Sequence, residues 1–144
     1  VLVHGEGGTG KTIASVEALR QHGEGFFARA SEFVGVRARR YTSVDDRRLI
    51  RRAERTSFLV LDDVGEEAAE HWHFIAQLLT LRYDRGGRTI CTTNMDREQF
   101  ARRYKDRVVD RWRHRGFSVE ATEILRPDRL KQQSLLENDD GTEG

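Results

Sequence analysis

Four residues into the chain stands GEGGTGKT (residues 5–12), and no other stretch narrows the possible folds so far. It fits G-x-x-x-x-G-K-[ST], in which glycines let the backbone curl so that successive amide N–H groups point at phosphate oxygens. Such a loop works between a strand and a helix, whose positive amino-terminal end faces the phosphates. Here the apolar run VLV precedes it, and Ile13, Val16 and Leu19 recur at helical spacing after it, so a helix is expected over 11–21. With average residue frequencies, a chain of this length matches the pattern by accident on the order of half a per cent of the time, which makes a mere glycine-rich turn the weaker alternative. Arginine outnumbers lysine 22 to three, yet position 11 is lysine; a compact ammonium fits between phosphates better than a broad guanidinium. Gly5, Glu6, Gly7, Gly8, Thr9, Gly10, Lys11, Thr12 and Ile13 therefore form the candidate ATP-binding set. Lys11 would bridge the β- and γ-phosphates, and the Thr12 hydroxyl would ligate Mg²⁺.

Further apolar runs follow at 26–28 (FFA), 58–61 (FLVL), 89–93 (TICTT) and 117–121 (FSVEA). Short runs of this kind suit parallel strands buried on both faces. Helical patterns separate them. Ser31 can cap a helix through residue 40. Ser43 and Asp46 resemble a capping box for a helix to about residue 54, with Val44, Leu49, Ile50 and Ala53 toward the core. Residues 70–84 carry a broad apolar face, which Gly86 and Gly87 stop. Asp96 starts a helix through residue 103, and another is expected over 106–113. The alternation predicts an α/β sandwich around a mainly parallel five-stranded sheet, with ligands at the carboxyl ends of the strands.

Two of those ends carry chemistry. FLVLDDVG delivers Asp62 and Asp63: the first would hold Mg²⁺ through its water shell and the second would orient or deprotonate the attacking water. Strand-ending aspartates are also common turn residues, but some 50 residues after a phosphate loop the pair gains weight. TICTTN ends in Asn94, which can hydrogen-bond a γ-phosphate or position the water without adding negative charge; the plainer alternative is a turn or helix cap. Cys91, inside that strand, reads as a buried structural thiol.

GEGGTGKT, ARASEFVG (28–35), FLVLDDVGEE (58–67), RTICTTN (88–94) and DRVVDRW (106–112) together resemble the AAA+ core of DnaC-type helicase loaders and the related IstB-type transposition ATPases. The resemblance covers roughly residues 1–117 and implies a three-layer P-loop NTPase fold of AAA+ type. It implies that Lys11 and Thr12 are Walker A residues, Asp62 and Asp63 Walker B residues, and Asn94 sensor 1. RVVDRW resembles the arginine-finger motif, in which an arginine reaches the nucleotide of a neighbouring subunit. The hydrophobic pair before the finger favours Arg111, with Arg107 second; the alternative is that both are solvated on a basic helix. Implied partners are a replicative helicase or a transposase, and a homo-oligomer with ATP at its subunit interfaces. The chain departs from the pattern after Ala121, where the usual helical lid is expected to be reduced or absent, and Arg126 and Arg129 do not fit the sensor 2 role. It also begins with Val1 inside an apolar run, so an N-terminal portion is expected to be missing. The core is expected over 1–126, with a mostly disordered acidic tail over 127–144.

From residue 37 to 55 eight arginines face only Asp45, Asp46 and Glu54. Arg37, Arg39, Arg40, Arg47, Arg48 and Arg51, with Tyr41 available for stacking, could track single-stranded DNA. The other reading is an amphipathic helix with a solvated arginine face. HWH (71–73) invites a metal, but adjacent helical positions diverge and no ligand set completes it. Lys+Arg 25 against Asp+Glu 24 leaves a net charge of +1, so global charge selects no partner. No apolar run approaches the roughly 20 residues that span a bilayer, and a single cysteine fits a reducing compartment, so a cytoplasmic ATPase is expected. A helper of transposition, an ATP-ordered binding adaptor with little turnover, and a small-molecule kinase are the rival readings.

Overall fold

The computed structural model describes residues 1–115 and 118–121. Five strands, β1 (Leu2–His4), β2 (Phe26–Arg29), β3 (Phe58–Asp62), β4 (Arg88–Thr93) and β5 (Ser118–Glu120), form one sheet in the order β2-β3-β4-β1-β5, and every pairing is parallel. All five residues of β3 are buried, as its central place and its unbroken apolar run require.

The helices are α1 (Lys11–His22), α2 (Ala30–Ala38), α3 (Val44–Arg55), α4 (Trp72–Asp84) and α5 (Arg97–Arg115), with a short 3-10 turn at Ala69–His71. The link from β1 to β2 crosses the sheet in one direction and the later links cross in the other. Right-handed crossovers then put α1 on one face and α2–α5 on the opposite face. The contacts agree: α1 packs on β2, β3 and β4, whereas α2, α3, α4 and α5 pack on one another. This is the three-layer α/β sandwich expected from the sequence. The helical lid, the tail over 127–144, Arg126 and Arg129 all lie outside the described residues.

Several expectations change. α2 begins at Ala30 with Arg29 at its N-cap, ahead of Ser31, because Arg29 is still extended strand, paired with Asp62. The helices expected at 96–103 and 106–113 are one, α5; Asp96 opens it with a reciprocal cap, its carboxylate accepting from Gln99 N–H at 2.8 Å while the Gln99 side chain accepts from Asp96 N–H at 2.9 Å. On α1 the stripe Ile13 and Val16 is 72% and 42% exposed, and the buried residues are Lys11 and Ser15. Anchoring the glycine loop through Lys11 turns the Lys11 and Ser15 side of the helix toward the sheet. Val44 is likewise exposed, while Ile50 and Ala53 are buried as expected. Ser43 does cap α3, accepting from Asp46 N–H at 3.0 Å. The Asp46 carboxylate reaches back to the Ser43 backbone and has further partners. It binds Arg39, Thr42 N–H and the Thr42 hydroxyl, and the Arg39 guanidinium holds it well below the usual carboxylate range.

At the amino-terminal edge of the sheet, Arg82 is almost fully buried. Its guanidinium donates to the carbonyls of Ala53, Thr56 and Arg88 and to the Thr89 hydroxyl at 2.7–2.9 Å. It thereby closes the carbonyl end of α3 from α4. Gly87 leaves room beside it, since a Cβ there would crowd Arg82 Nη2 at 3.0 Å. Cys91 is fully buried and its thiol is pushed up to about 12 by that burial, in keeping with a structural role.

Candidate nucleotide site

The site lies where β1, β3 and β4 end. β1 runs into the loop, and Gly5 has φ 140°, with space for a Cβ taken by the Ala121 carbonyl oxygen at 2.4 Å. No other residue fits there. Gly10 adopts φ 85° as the N-cap of α1, leaving the first amides of α1 directed into the loop. Lys11 is buried, and its Nζ donates to the carbonyls of Gly5 at 2.9 Å and Glu6 at 2.6 Å. Burial lowers its pKa, partly opposed by Asp63 and Asp62. Thr9 hydroxyl donates to the Glu6 carbonyl at 2.9 Å, so the loop is cross-braced.

Thr12 meets Asp62 across the sheet: its hydroxyl donates to Asp62 Oδ1 at 2.8 Å. The same oxygen accepts from the Thr92 hydroxyl at 2.7 Å, and Thr92 Oγ1 in turn accepts from Asp63 N–H at 2.9 Å. A buried threonine on β4 thus fixes Asp62 at the end of β3 and Asp63 just beyond it. Asp63 itself has φ 55°, a left-handed conformation that a non-glycine residue adopts at a cost. Its carboxyl pKa is raised, chiefly by burial and then by Asp62 and Glu66, against Arg29 and Lys11. The Thr93 hydroxyl donates to the Val64 carbonyl at 2.6 Å and accepts from Met95 N–H at 3.1 Å, which sets the turn that carries Asn94.

Asn94 is exposed at the end of β4. It lines two clefts, one of about 520 Å³ with Val64, Glu66, Gln99 and Arg103, the other of about 430 Å³ with His4, Gly5, Glu6 and Glu120. Lys11, Thr12, Asp62 and Asp63 are therefore brought together, with Asn94 at the rim. Arg107 and Arg111 fall on α5. Thr12 and Asp62 offer hard oxygen donors of the kind Mg²⁺ takes with water completing its shell. Among the described residues no group of three or more His, Cys, Asp or Glu could hold a metal alone.

Sequence reasoning missed Thr92, Thr93 and Arg29. A hydroxyl on a neighbouring strand is silent until the register is known, although the TT pair before Asn94 was a signal. The arginine patch is only partly free. Arg37 donates to Tyr41 and Gln77 and lies over the rings of Tyr41 and Phe74; Arg39 pairs with Asp46 at 2.7 Å. Tyr41 is thus occupied rather than available for stacking. Arg40, Arg47, Arg48 and Arg51 are exposed.

No protein-family model matches the sequence, and no curated protein matches it. Solved structures do. The crystal structure of the DnaC helicase loader superposes with a TM-score of 0.71 at 23% identity, covering 85% of this chain and 77% of that one. For DnaI the values are 0.64 and 23%, over 85% and 72%. For the replication initiator DnaA bound to AMPPCP and single-stranded DNA they are 0.67 and 18%, over 96% of this chain and 45% of that one. The chain thus spans less than half the length of that DnaA structure. These likenesses show the fold: a three-layer α/β sandwich like the domains of the loaders and the initiator. Among the described residues no helix is long and apolar enough to cross a membrane.

Proposed function

We propose that this domain binds Mg·ATP and hydrolyses it, and that it serves DNA replication as a loader acting on a replicative helicase and single-stranded DNA. The observation that carries the enzymatic part is the 2.8 Å bond from Thr12 to Asp62, with Asp63 next in the chain. Two segments 50 residues apart place a hydroxyl, a carboxylate and a second carboxylate at the mouth of a glycine loop. Lys11 would hold the β- and γ-phosphate oxygens, and Thr12 and Asp62 would hold Mg²⁺. When bound, the ion would neutralise charge on the phosphates. Asp63 would accept a hydrogen bond from the attacking water, and its raised pKa suits a proton acceptor. Asn94 would orient that water or the γ-phosphate. An arginine from a neighbouring copy, Arg111 or else Arg107, would stabilise the charge that develops in transfer.

The partner assignment rests on the fold shared with DnaC, DnaI and DnaA, and on the exposed Arg40, Arg47, Arg48 and Arg51. Oligo(dT) binding measured against salt tests it. Each phosphate contact adds about 0.7 to the log–log slope, so the triple variant Arg47→Glu, Arg48→Glu, Arg51→Glu should lower the slope by about two. An unchanged slope removes the DNA role from α3. Pull-down with a replicative helicase against a transposase separates the loader from the IstB-like alternative. ATP affinity without turnover would leave only the adaptor.

A further inference from the structure

The side chain of Glu67 has no solvent exposure, although it is a carboxylate in the loop that leaves the end of β3. Its oxygens are heavily engaged. Oε2 accepts from Gly65 N–H at 2.8 Å, while Oε1 accepts from Arg103 Nη2 at 3.2 Å, from Arg103 Nε at 3.3 Å and from the Tyr104 hydroxyl. Arg103 Nη2 also donates to the Glu67 carbonyl at 2.6 Å. A buried ion pair is a costly way to make a contact, and an apolar pair could close the same space. What it adds is direction: several bonds of fixed geometry tie the backbone at Gly65 to one turn of α5.

Both ends of that tie matter. On one side, Asp63 holds its left-handed conformation between the Thr92 hydroxyl and the turn that Glu67 closes through Gly65; such a conformation persists only where its surroundings over-determine it. On the other side, Phe100, Tyr104 and Val108 are buried and α5 packs on α4, so the turn holding Arg103 moves only with the helix. Arg107 and Arg111 follow Arg103 by about one and two turns. Nothing in the motif pattern of the sequence marks Glu67 apart from Glu66.

We propose that Glu67 is a positioning residue that joins the Asp63 loop to α5, so that the state of the nucleotide site is transmitted to the helix bearing Arg107 and Arg111. This rests on the reading of residues 5–12 and 62–63 as an ATP site. Hydrogen exchange on the full chain, with and without AMPPCP and Mg²⁺, tests it in wild type, E67Q and R103K, beside fluorescent-ATP affinity and single-turnover hydrolysis. In wild type the nucleotide should protect both 63–67 and 104–115. In E67Q the loop should still respond and α5 should not, with affinity within about threefold and hydrolysis slowed about tenfold or more, the scale of a small misplacement. R103K, which keeps the charge and loses the fork, should fall between, and it carries the test if E67Q does not fold. The proposal is overturned if α5 in the variants responds as in wild type, if wild-type α5 does not respond, or if affinity, rate and Tm fall in parallel. Wild-type turnover no faster than Asp63→Asn defeats the ATPase reading alone, because the exchange arm uses binding only. Absence of nucleotide binding by wild type defeats both.

Discussion

The two edges of one parallel sheet treat buried charge in opposite ways. At the amino-terminal edge, Arg82 donates to three carbonyls and a hydroxyl, all within the protein. Helix ends converge there, and Arg20 and Arg55 lie in the last turns of α1 and α3, so the cations suit the negative ends of helix dipoles. At the carboxyl-terminal edge, Lys11 stands beside two aspartates, one of them with a strained backbone and a raised pKa. The first edge spends its charges on closing the fold. The second holds charges against each other, the arrangement the proposed triphosphate site requires.

That contrast can be broken from either side. The largest expected effect on binding is that of Lys11→Ala, which removes the ammonium from the glycine loop and should weaken ATP binding about 100-fold, the worth of one or two charge-assisted bonds, with little loss in urea stability. Arg82→Met should do the reverse: it orphans buried carbonyls, costing about 3 kcal/mol in urea unfolding, while ATP affinity per folded molecule stays near wild type. Thr92→Val should touch both properties, because it leaves Asp63 N–H without its acceptor; a loss of about 2 kcal/mol and slower hydrolysis are expected together. Smaller still is the pH effect. If Asp63 is the proton acceptor proposed above, hydrolysis needs it ionised, so the rate should fall as pH drops through a pKa above the ordinary carboxylate range. Removing a cation that favours the charged form, by Arg29→Met, should move that acidic limb further up in a rate–pH profile. Least of all, Ser15→Ala removes the hydroxyl that is buried without a partner among the described residues and should leave stability unchanged or slightly raised.

The glycine loop, the paired aspartates and the alternation of strand and helix were legible because each is a local pattern with one dominant physical cause. The five strands fall within a residue or two of the apolar runs. Less legible was anything decided by register. Thr92 matters because β4 lies beside β3, pairing Cys91 with Leu61, and no spacing in the chain announces that. Exposure of Ile13 and Val16 was missed because periodicity reports an apolar stripe without saying which side the loop turns to the sheet. Arg37 and Tyr41 looked like a DNA surface, yet they bind each other, since a cluster of charges does not reveal its internal pairs. The fused helix α5 was read as two because Asp106 imitates a second start.

The most direct test of the site compares wild type with Asp63→Asn for ATP affinity and single-turnover hydrolysis on the same preparations. Because burial raises the Asp63 pKa, the folded state favours the neutral form, so linkage predicts that the asparagine variant is no less stable; lost turnover would then not be lost fold. If Asp63 activates the water, ATP binding is equal in the two proteins, with hydrolysis in wild type and almost none in the variant. Equal turnover in both would contradict that role.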